Sequence, residues 1–118
     1  MRSPIVICEQ FEVVTVPFPF TDSPATKRRP ALVLSNAAAF NTLAGRSVMA
    51  MITTATHSPW VLDVPISNLQ EAGLKVPSVI RMKLFTLDHA LIQKRIGHLA
   101  ISDRITVEQA LRALLKLP

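Results

Sequence analysis

The stretch TDSPATKRRPALVLSN, residues 21–36, sets three consecutive cations directly before a proline and an apolar run. Its first half has Pro24 among small polar residues, a composition typical of a loop. The run PALVLS, residues 30–35, predicts a buried strand, because a proline is tolerated at the first position of a strand. A long loop in a compact domain is commonly functional. The stretch therefore predicts a strand whose beginning carries the densest positive charge of the chain.

Segments rich in β-branched and aromatic residues recur on both sides of this stretch and favour further strands. Pro65 indicates that one of them is an edge strand, and Trp60 at its beginning is expected in the core. Helical patterns are few: a short helix or irregular turn over residues 36–45, and a helical turn stopped by Gly73 and Pro77. The predicted strands cover residues 11–18, 30–35, 47–54, 60–66 and 78–87, with a last short strand that ends at Gly97.

An amphipathic helix is predicted near the C-terminus, over residues 106–117, with Thr106 as its N-cap. The connections between the strands lack long helical patterns, which disfavours a parallel sheet. At 118 residues the chain suits one compact domain. We therefore expect a single domain over residues 1–118, mainly β with short helices (α+β). Its strands should form a small barrel or strongly bent sheet, mostly antiparallel, with a C-terminal helix.

The composition narrows the classes of protein to consider. Thirteen Lys and Arg against eight Asp and Glu give a net charge of +5, which favours a polyanionic partner. The single cysteine, Cys8, excludes an internal disulfide, and no spacing of Cys and His predicts a zinc site. No signal peptide is recognised, and no apolar run approaches the ~18 residues of a membrane span. We expect a soluble, cytoplasmic protein that needs no membrane, metal or cofactor.

The motifs of common hydrolases are missing from the sequence: paired carboxylates, a Gly-rich phosphate loop, G-x-S-x-G and H-E-x-x-H. The three histidines stand singly, and a lone histidine is more often structural than catalytic. What remains is a set of cations and hydroxyls at the ends of predicted strands. They are Lys27, Arg28, Arg29, Thr53, Thr54 and Arg81.

These groups could converge if their strands are neighbours in the sheet. An arginine presents planar donors suited to phosphate oxygens, and a threonine hydroxyl adds a donor to a developing oxyanion. The set therefore suits binding or transfer at a phosphodiester without a metal. From composition and spacing alone, a solvated loop followed by an ordinary strand remains the simpler interpretation.

Six segments of the chain, taken in order, carry a family resemblance. They are VVTVPFPFTD (13–22), KRRPALVLSN (27–36), AAFN (38–41), ITT (52–54), SVIRMKLFTLD (78–88) and IG (96–97). This ordered set resembles the PemK/MazF family of type II toxins; its most specific motif is RRPALVLS, and the similarity runs over residues 11–97. The resemblance implies a small SH3-like barrel that pairs as a homodimer. It also implies a metal-independent endoribonuclease that cuts single-stranded RNA, often mRNA, until a cognate antitoxin binds.

The resemblance implies attack of the ribose 2′-hydroxyl on its own phosphate, leaving 2′,3′-cyclic phosphate and 5′-hydroxyl ends. The family's catalytic arginine before the proline matches Arg29, its active-site threonine matches Thr53, and an arginine of its Kid-like branch matches Arg81. Arg29 would stabilise the phosphorane charge and Thr53 would donate to the same oxyanion. The general base stays open, because an arginine remains protonated up to ~12. The expected RNA contacts are Thr21, Lys27, Arg28, Thr54 and Lys83.

Two departures from the family pattern limit what can be carried over. The Kid-like branch has an aspartate two residues after its strand arginine, where this chain has Lys83, so a carboxylate base is missing at that position. The first loop has Pro24 and Ala25 instead of glycine, so the target sequence cannot be carried over. Two alternatives stay open. One is a CcdB-like toxin of the same superfamily that inhibits DNA gyrase by binding it, and the other is a degenerate module that only binds RNA.

Overall fold

The computed structural model describes residues 8–19 and 27–118. They contain a six-stranded sheet in the order β4-β5-β3-β2-β1-β6, in which every neighbouring pair is antiparallel. The predicted class, mainly β with short helices and a C-terminal helix, is confirmed. The strands are β1 (Glu12–Phe18), β2 (Lys27–Val33), β3 (Arg46–Thr54), β4 (Val64–Pro65), β5 (Ser78–Asp88) and β6 (Lys94–His98). The helical elements are a π-helical turn (Ala37–Asn41), α1 (Thr42–Ala44), a 3-10 turn (His89–Leu91) and α2 (Ile101–Leu115).

Alternating side chains of the strands are buried on both faces of the sheet, so two core clusters form. We call the face that packs against α2 the helix face; its cluster includes Val13, Leu32, Ala50, Ile52, Ile80 and Met82 from the strands with Val107 and Ala110 from α2. We call the other the distal face; its cluster includes Val14, Val16, Ala31, Val33, Met49 and Leu87, with Cys8 and Ile92. The parity of a residue along its strand therefore decides which face its side chain occupies.

The two edge strands, β4 and β6, are bridged by the loop over residues 67–74. The His98 amide donates to the Glu71 carbonyl at 3.0 Å. Gly73 has φ +75°, and a Cβ at that position would lie 1.9 Å from the Ile96 carbonyl oxygen, so the approach requires glycine. The contact curls the sheet towards a barrel. Gly73 ends the turn as the sequence predicts.

Strand β2 begins at Lys27, three residues before the predicted start at Pro30, so the cationic triplet lies in the strand rather than in the preceding loop. Pro30 is tolerated there for a local reason. Its partner Thr15 uses its carbonyl to accept from the Gln93 amide, so Thr15 and Pro30 form a pair without ladder hydrogen bonds. Pairing of β2 with β3 starts only at Ala31. The missing N–H of the proline therefore breaks no ladder bond.

Two further boundaries differ from the prediction. Strand β4 is an edge strand as Pro65 indicates, but it spans only Val64–Pro65, which leaves Trp60 in the preceding turn. Helix α2 begins at Ile101 rather than at Thr106, whose hydroxyl donates to the Ser102 carbonyl at 3.2 Å inside the helix. A polar N-cap was expected, whereas the structure uses Ala100 in extended conformation. Within the described ranges, no helix combines the length and the apolar character that crossing a membrane would need.

Candidate functional site

Arg29 and Thr53 lie on the same face of the sheet, near the ends of two neighbouring strands. Ala31 and Met51 form the last pair of β2 and β3 at this end of the strands, and each of the two site residues lies two positions beyond that pair on its own strand. Both belong to the distal face by parity. Two groups that are 24 positions apart in sequence thus share one face at the same end of β2 and β3.

Arg29 is half-buried as a residue. Residues 8–19 and 27–118 offer it neither an ion pair nor a hydrogen bond, so its donors are available to an incoming anion. Lys27 shares the distal face by parity and is exposed. Arg28 has the opposite parity, so the structure separates it from Arg29. The cationic triplet is therefore divided between the two faces of the sheet.

The hydroxyl of Thr53 is hydrogen-bonded to Nδ1 of His57. The histidine is held by the turn that follows β3, in which its amide donates to the Thr54 carbonyl at 3.2 Å. It is exposed, so its second ring nitrogen can meet solvent or a ligand. Thr54 has the parity of the helix face, and its hydroxyl contacts that of Thr56 at 3.2 Å. The structure therefore adds His57 to the candidate site as a partner of Thr53, and it places Thr54 on the opposite face of the sheet.

Arg81 lies beside the pair, because it is opposite Met51 in the register of β3 and β5. Its Nε and one terminal nitrogen donate to the two carboxylate oxygens of Asp63 at 3.2 and 2.9 Å, and the same terminal nitrogen donates to the Ser58 carbonyl at 2.7 Å. The hydrogen bond from Arg81 lowers the pKa of Asp63 below its ordinary value. Asp63 is therefore a weak base, and most donors of Arg81 are already engaged.

A bulge places Lys83 over an aromatic ring at the border of the site. The register of β3 and β5 shifts between Ala50 and Met51, which leaves Met82 and Lys83 without partners on β3. Bulges of this kind redirect side chains. The Lys83 ammonium lies 4.4 Å from the centroid of the Trp60 ring, which is 47% exposed. The expectation that Trp60 lies in the core is wrong.

Of the predicted site residues, five share the distal face by parity: Lys27, Arg29, Thr53, Arg81 and Lys83. It places Arg28 and Thr54 on the other face, and Thr21 lies outside the described residues. Sequence reasoning missed two neighbours. His57 had a weak signal in its position four residues after Thr53, whereas nothing in the sequence links Asp63 to Arg81. In the described part of the chain, no three His, Cys, Asp or Glu side chains are grouped to hold a metal ion.

Comparisons with known proteins give a family and a fold. Residues 9–115 match the family model described as PemK-like, MazF-like toxin of type II toxin-antitoxin system. Among solved structures, Mycobacterium tuberculosis toxin MazF-mt6 superposes with a TM-score of 0.72 at 22% identity, covering 91% of this chain and 98% of that one.

Several of the solved neighbours are complexes of a toxin with its antitoxin. A MazE-MazF crystal structure from Deinococcus radiodurans gives a TM-score of 0.75 at 21% identity, with 96% of this chain and 100% of that one covered. An endoribonuclease in complex with its cognate antitoxin, from a mycobacterial species, gives a TM-score of 0.70 at 18% identity, with 95% of this chain and 96% of that one covered. Curated protein sequences give no match.

Proposed function

We propose that this chain, which belongs to the PemK-like, MazF-like toxins of type II toxin-antitoxin systems, is an endoribonuclease that cuts single-stranded RNA, including mRNA. The observation that carries the proposal is that Arg29, to which the described residues offer neither an ion pair nor a hydrogen bond, shares the distal face with Thr53 and its bonded His57. A cation and a hydroxyl on one face suit the negative charge that develops on a phosphorane. A toxin that acts by binding alone needs neither group.

The proposed reaction is a transesterification within the RNA strand. The ribose 2′-oxygen forms a bond to the adjacent phosphorus, the bond from phosphorus to the 5′-oxygen breaks, and the products are a 2′,3′-cyclic phosphate and a 5′-hydroxyl. Arg29 stabilises the equatorial oxygens of the phosphorane through charge-assisted hydrogen bonds. The Thr53 hydroxyl donates a hydrogen bond to the same oxygens. The departing 5′-oxygen takes its proton from solvent.

His57 fills the role of general base that the sequence left open. When Nδ1 donates to the Thr53 oxygen, Nε2 is the unprotonated nitrogen and can accept the proton of the 2′-hydroxyl. The same hydrogen bond turns the Thr53 hydroxyl proton outward, towards the phosphate. Arg81 acts as a positioning residue in this scheme, because its contacts with Asp63 and Ser58 hold the segment that follows His57.

The proposed partners follow from the family and from the charge of the distal face. Solved neighbours are named as complexes of MazF with MazE and of an endoribonuclease with its antitoxin. We extend this to a cognate antitoxin whose acidic segment covers Arg29, Lys27 and Lys83, and to a homodimer in the cytoplasm. Light scattering of the purified toxin tests the dimer, since a monomer mass would contradict it.

Cleavage of a long single-stranded RNA in excess EDTA tests the proposed activity. We expect cleavage by the wild type, with 2′,3′-cyclic phosphate ends identified by their resistance to labelling at the 3′ end until the cyclic phosphate is removed. Arg29→Ala and Thr53→Val should each reduce the rate by about 100-fold or more, the loss typical of a missing oxyanion donor. His57→Gln keeps a hydrogen-bonding side chain but lacks the base, and should reduce the rate by about 100-fold or more.

The control is Arg112→Ala, which removes the same charge from an exposed residue of α2. It should cleave like the wild type. Absence of cleavage by a folded, wild-type protein would refute the proposed enzyme and favour a binding toxin. Equal rates for Arg29→Ala and Arg112→Ala would refute the assignment of Arg29.

A further inference from the structure

The Trp60 side chain is a large aromatic surface that the fold does not bury. It is 47% exposed although one side of its ring lies against the Lys83 ammonium. The neighbouring Val61 is 78% exposed, so the turn as a whole stands away from the core. Burial in the sheet therefore does not explain why a tryptophan occupies this position.

The fold nevertheless holds this turn firmly. The Trp60 amide donates to Asp63 Oδ2 at 2.9 Å, and the Asp63 amide donates back to the Trp60 carbonyl at 3.2 Å. Asp63 is itself clamped by Arg81 from the strand, and Arg81 also binds the Ser58 carbonyl. The ring is thus presented on a braced turn, which is the arrangement expected of a preorganised contact rather than of a loose surface residue.

The position of the ring relates it to the proposed cleavage site. Thr53 is opposite Val79 on β5, and Lys83 lies four residues further along the same strand, within about 13 Å of Val79, the rise of four regular strand residues without a bulge. Arg81 and Lys83 share the distal face with Arg29 and Thr53. A single-stranded RNA lying across Arg29 can therefore reach the Trp60 ring within a few nucleotides.

We propose that Trp60, braced by Lys83, is a stacking platform for a base of the RNA strand, a few nucleotides from the cleaved phosphate. Proteins bind single strands by combining cations along the backbone with aromatic rings on which bases stack, and every base offers a face for this contact. Lys83 polarises the ring from one side and adds positive charge for a phosphate. This proposal rests on the proposed function. The platform sets the path of the RNA strand over the distal face and does not discriminate between bases.

The chain has one tryptophan, so its fluorescence reports this site alone. The probe is a 12-nucleotide RNA with every 2′-hydroxyl methylated, which can bind but cannot undergo the proposed transesterification. We expect saturable quenching of the fluorescence. Binding measured by anisotropy of the labelled probe should weaken about tenfold to a hundredfold in Trp60→Ala, the range typical of one lost stacking contact, and less in Trp60→Phe.

Phe40→Ala is the matched control, since Phe40 is an exposed aromatic (38%) beside the opposite end of β3. It should bind the probe like the wild type. Both Trp60 variants keep the backbone bond to Asp63, and thermal unfolding checks that they remain folded.

The two proposals fail in different ways. If the wild type cleaves RNA but Trp60→Ala binds the probe as tightly as Phe40→Ala, the platform is refuted and the endoribonuclease stands. A wild type that neither cleaves RNA nor binds the probe refutes both. Quenching by an oligoglutamate peptide with none by the probe would overturn the platform in favour of a protein partner at Trp60.

Discussion

Two glycines with left-handed backbones give a matched test of how the sheet is closed. Gly73 has φ +75° and Gly45 has φ +67°, so an alanine at either position bears a similar conformational cost of ~1–2 kcal/mol. Their surroundings differ completely. A Cβ at Gly45 would meet nothing within 4 Å, whereas a Cβ at Gly73 would lie 1.9 Å from the Ile96 carbonyl oxygen.

The extra cost at Gly73 can be worked out from this contact. An ordinary Cβ contact begins at 3.4 Å, so β6 and the loop must separate by more than an ångström. That movement breaks the bond between the His98 amide and the Glu71 carbonyl, which adds ~1–3 kcal/mol. We therefore expect Gly73→Ala to lower the free energy of unfolding by ~2–5 kcal/mol, and Gly45→Ala by only ~1–2 kcal/mol.

Thermal unfolding by circular dichroism measures the difference. At ~2.1 cal/mol/K per residue, the unfolding entropy of 118 residues is ~0.25 kcal/mol/K. Gly73→Ala should therefore lower Tm by about 8–20 °C, and Gly45→Ala by about 4–8 °C. Equal shifts for the two variants would refute the reasoning, because they would mean that the loop does not press against β6.

Two further predictions concern buried polar groups. His89 contacts the Ser47 hydroxyl at 2.8 Å, and burial lowers its pKa below the ordinary value of 6.5. Below pH 6.5 the folded state therefore binds fewer protons than the unfolded state, and the stability present above pH 6.5 is lost as the pH falls. Tm should drop between pH 7.5 and 5 in the wild type and less in His89→Gln, and parallel curves would contradict this. Asp103 is buried and accepts hydrogen bonds from both amides of the 67–68 segment, so Asp103→Asn should cost ~1–3 kcal/mol in urea unfolding. Glu108→Gln should cost almost nothing, because the partly exposed Glu108 forms a surface ion pair with Arg112 at 3.9 Å.

The cationic triplet shows where sequence reasoning reached its limit. The order of residues identifies Arg29 as the one next to the proline, and the family resemblance assigns its role. The sequence also suggests that Lys27 and Arg28 belong to a loop, whereas both pair with β1. Strand propensity did not reveal this, because the stabilisation comes from a partner strand and not from the charged residues themselves. Parity then separates Arg28 from Arg29.

Trp60 is a second residue that sequence reasoning misplaced, because it is exposed where a buried position is predicted. An apolar segment next to a tryptophan predicts a buried strand, and the prediction fails because β4 pairs with β5 over only two residues. The turn before it is organised by Asp63 and Arg81, which are 18 positions apart. Local composition carries no information about that contact. The bond between Thr53 and His57 is local, but a lone histidine gives too little signal to predict it.

The sequence by itself determined the alternating strands, the antiparallel class, the C-terminal helix and the family, because periodicity and ordered motifs are local properties of the chain. Only the tertiary structure decided which charged groups share a face with Arg29 and Thr53, which cation Asp63 engages, and which aromatic ring stays exposed. The physical reason is that strand register and bulges are set by the packing of distant segments, and a shift of one residue moves a side chain to the opposite face.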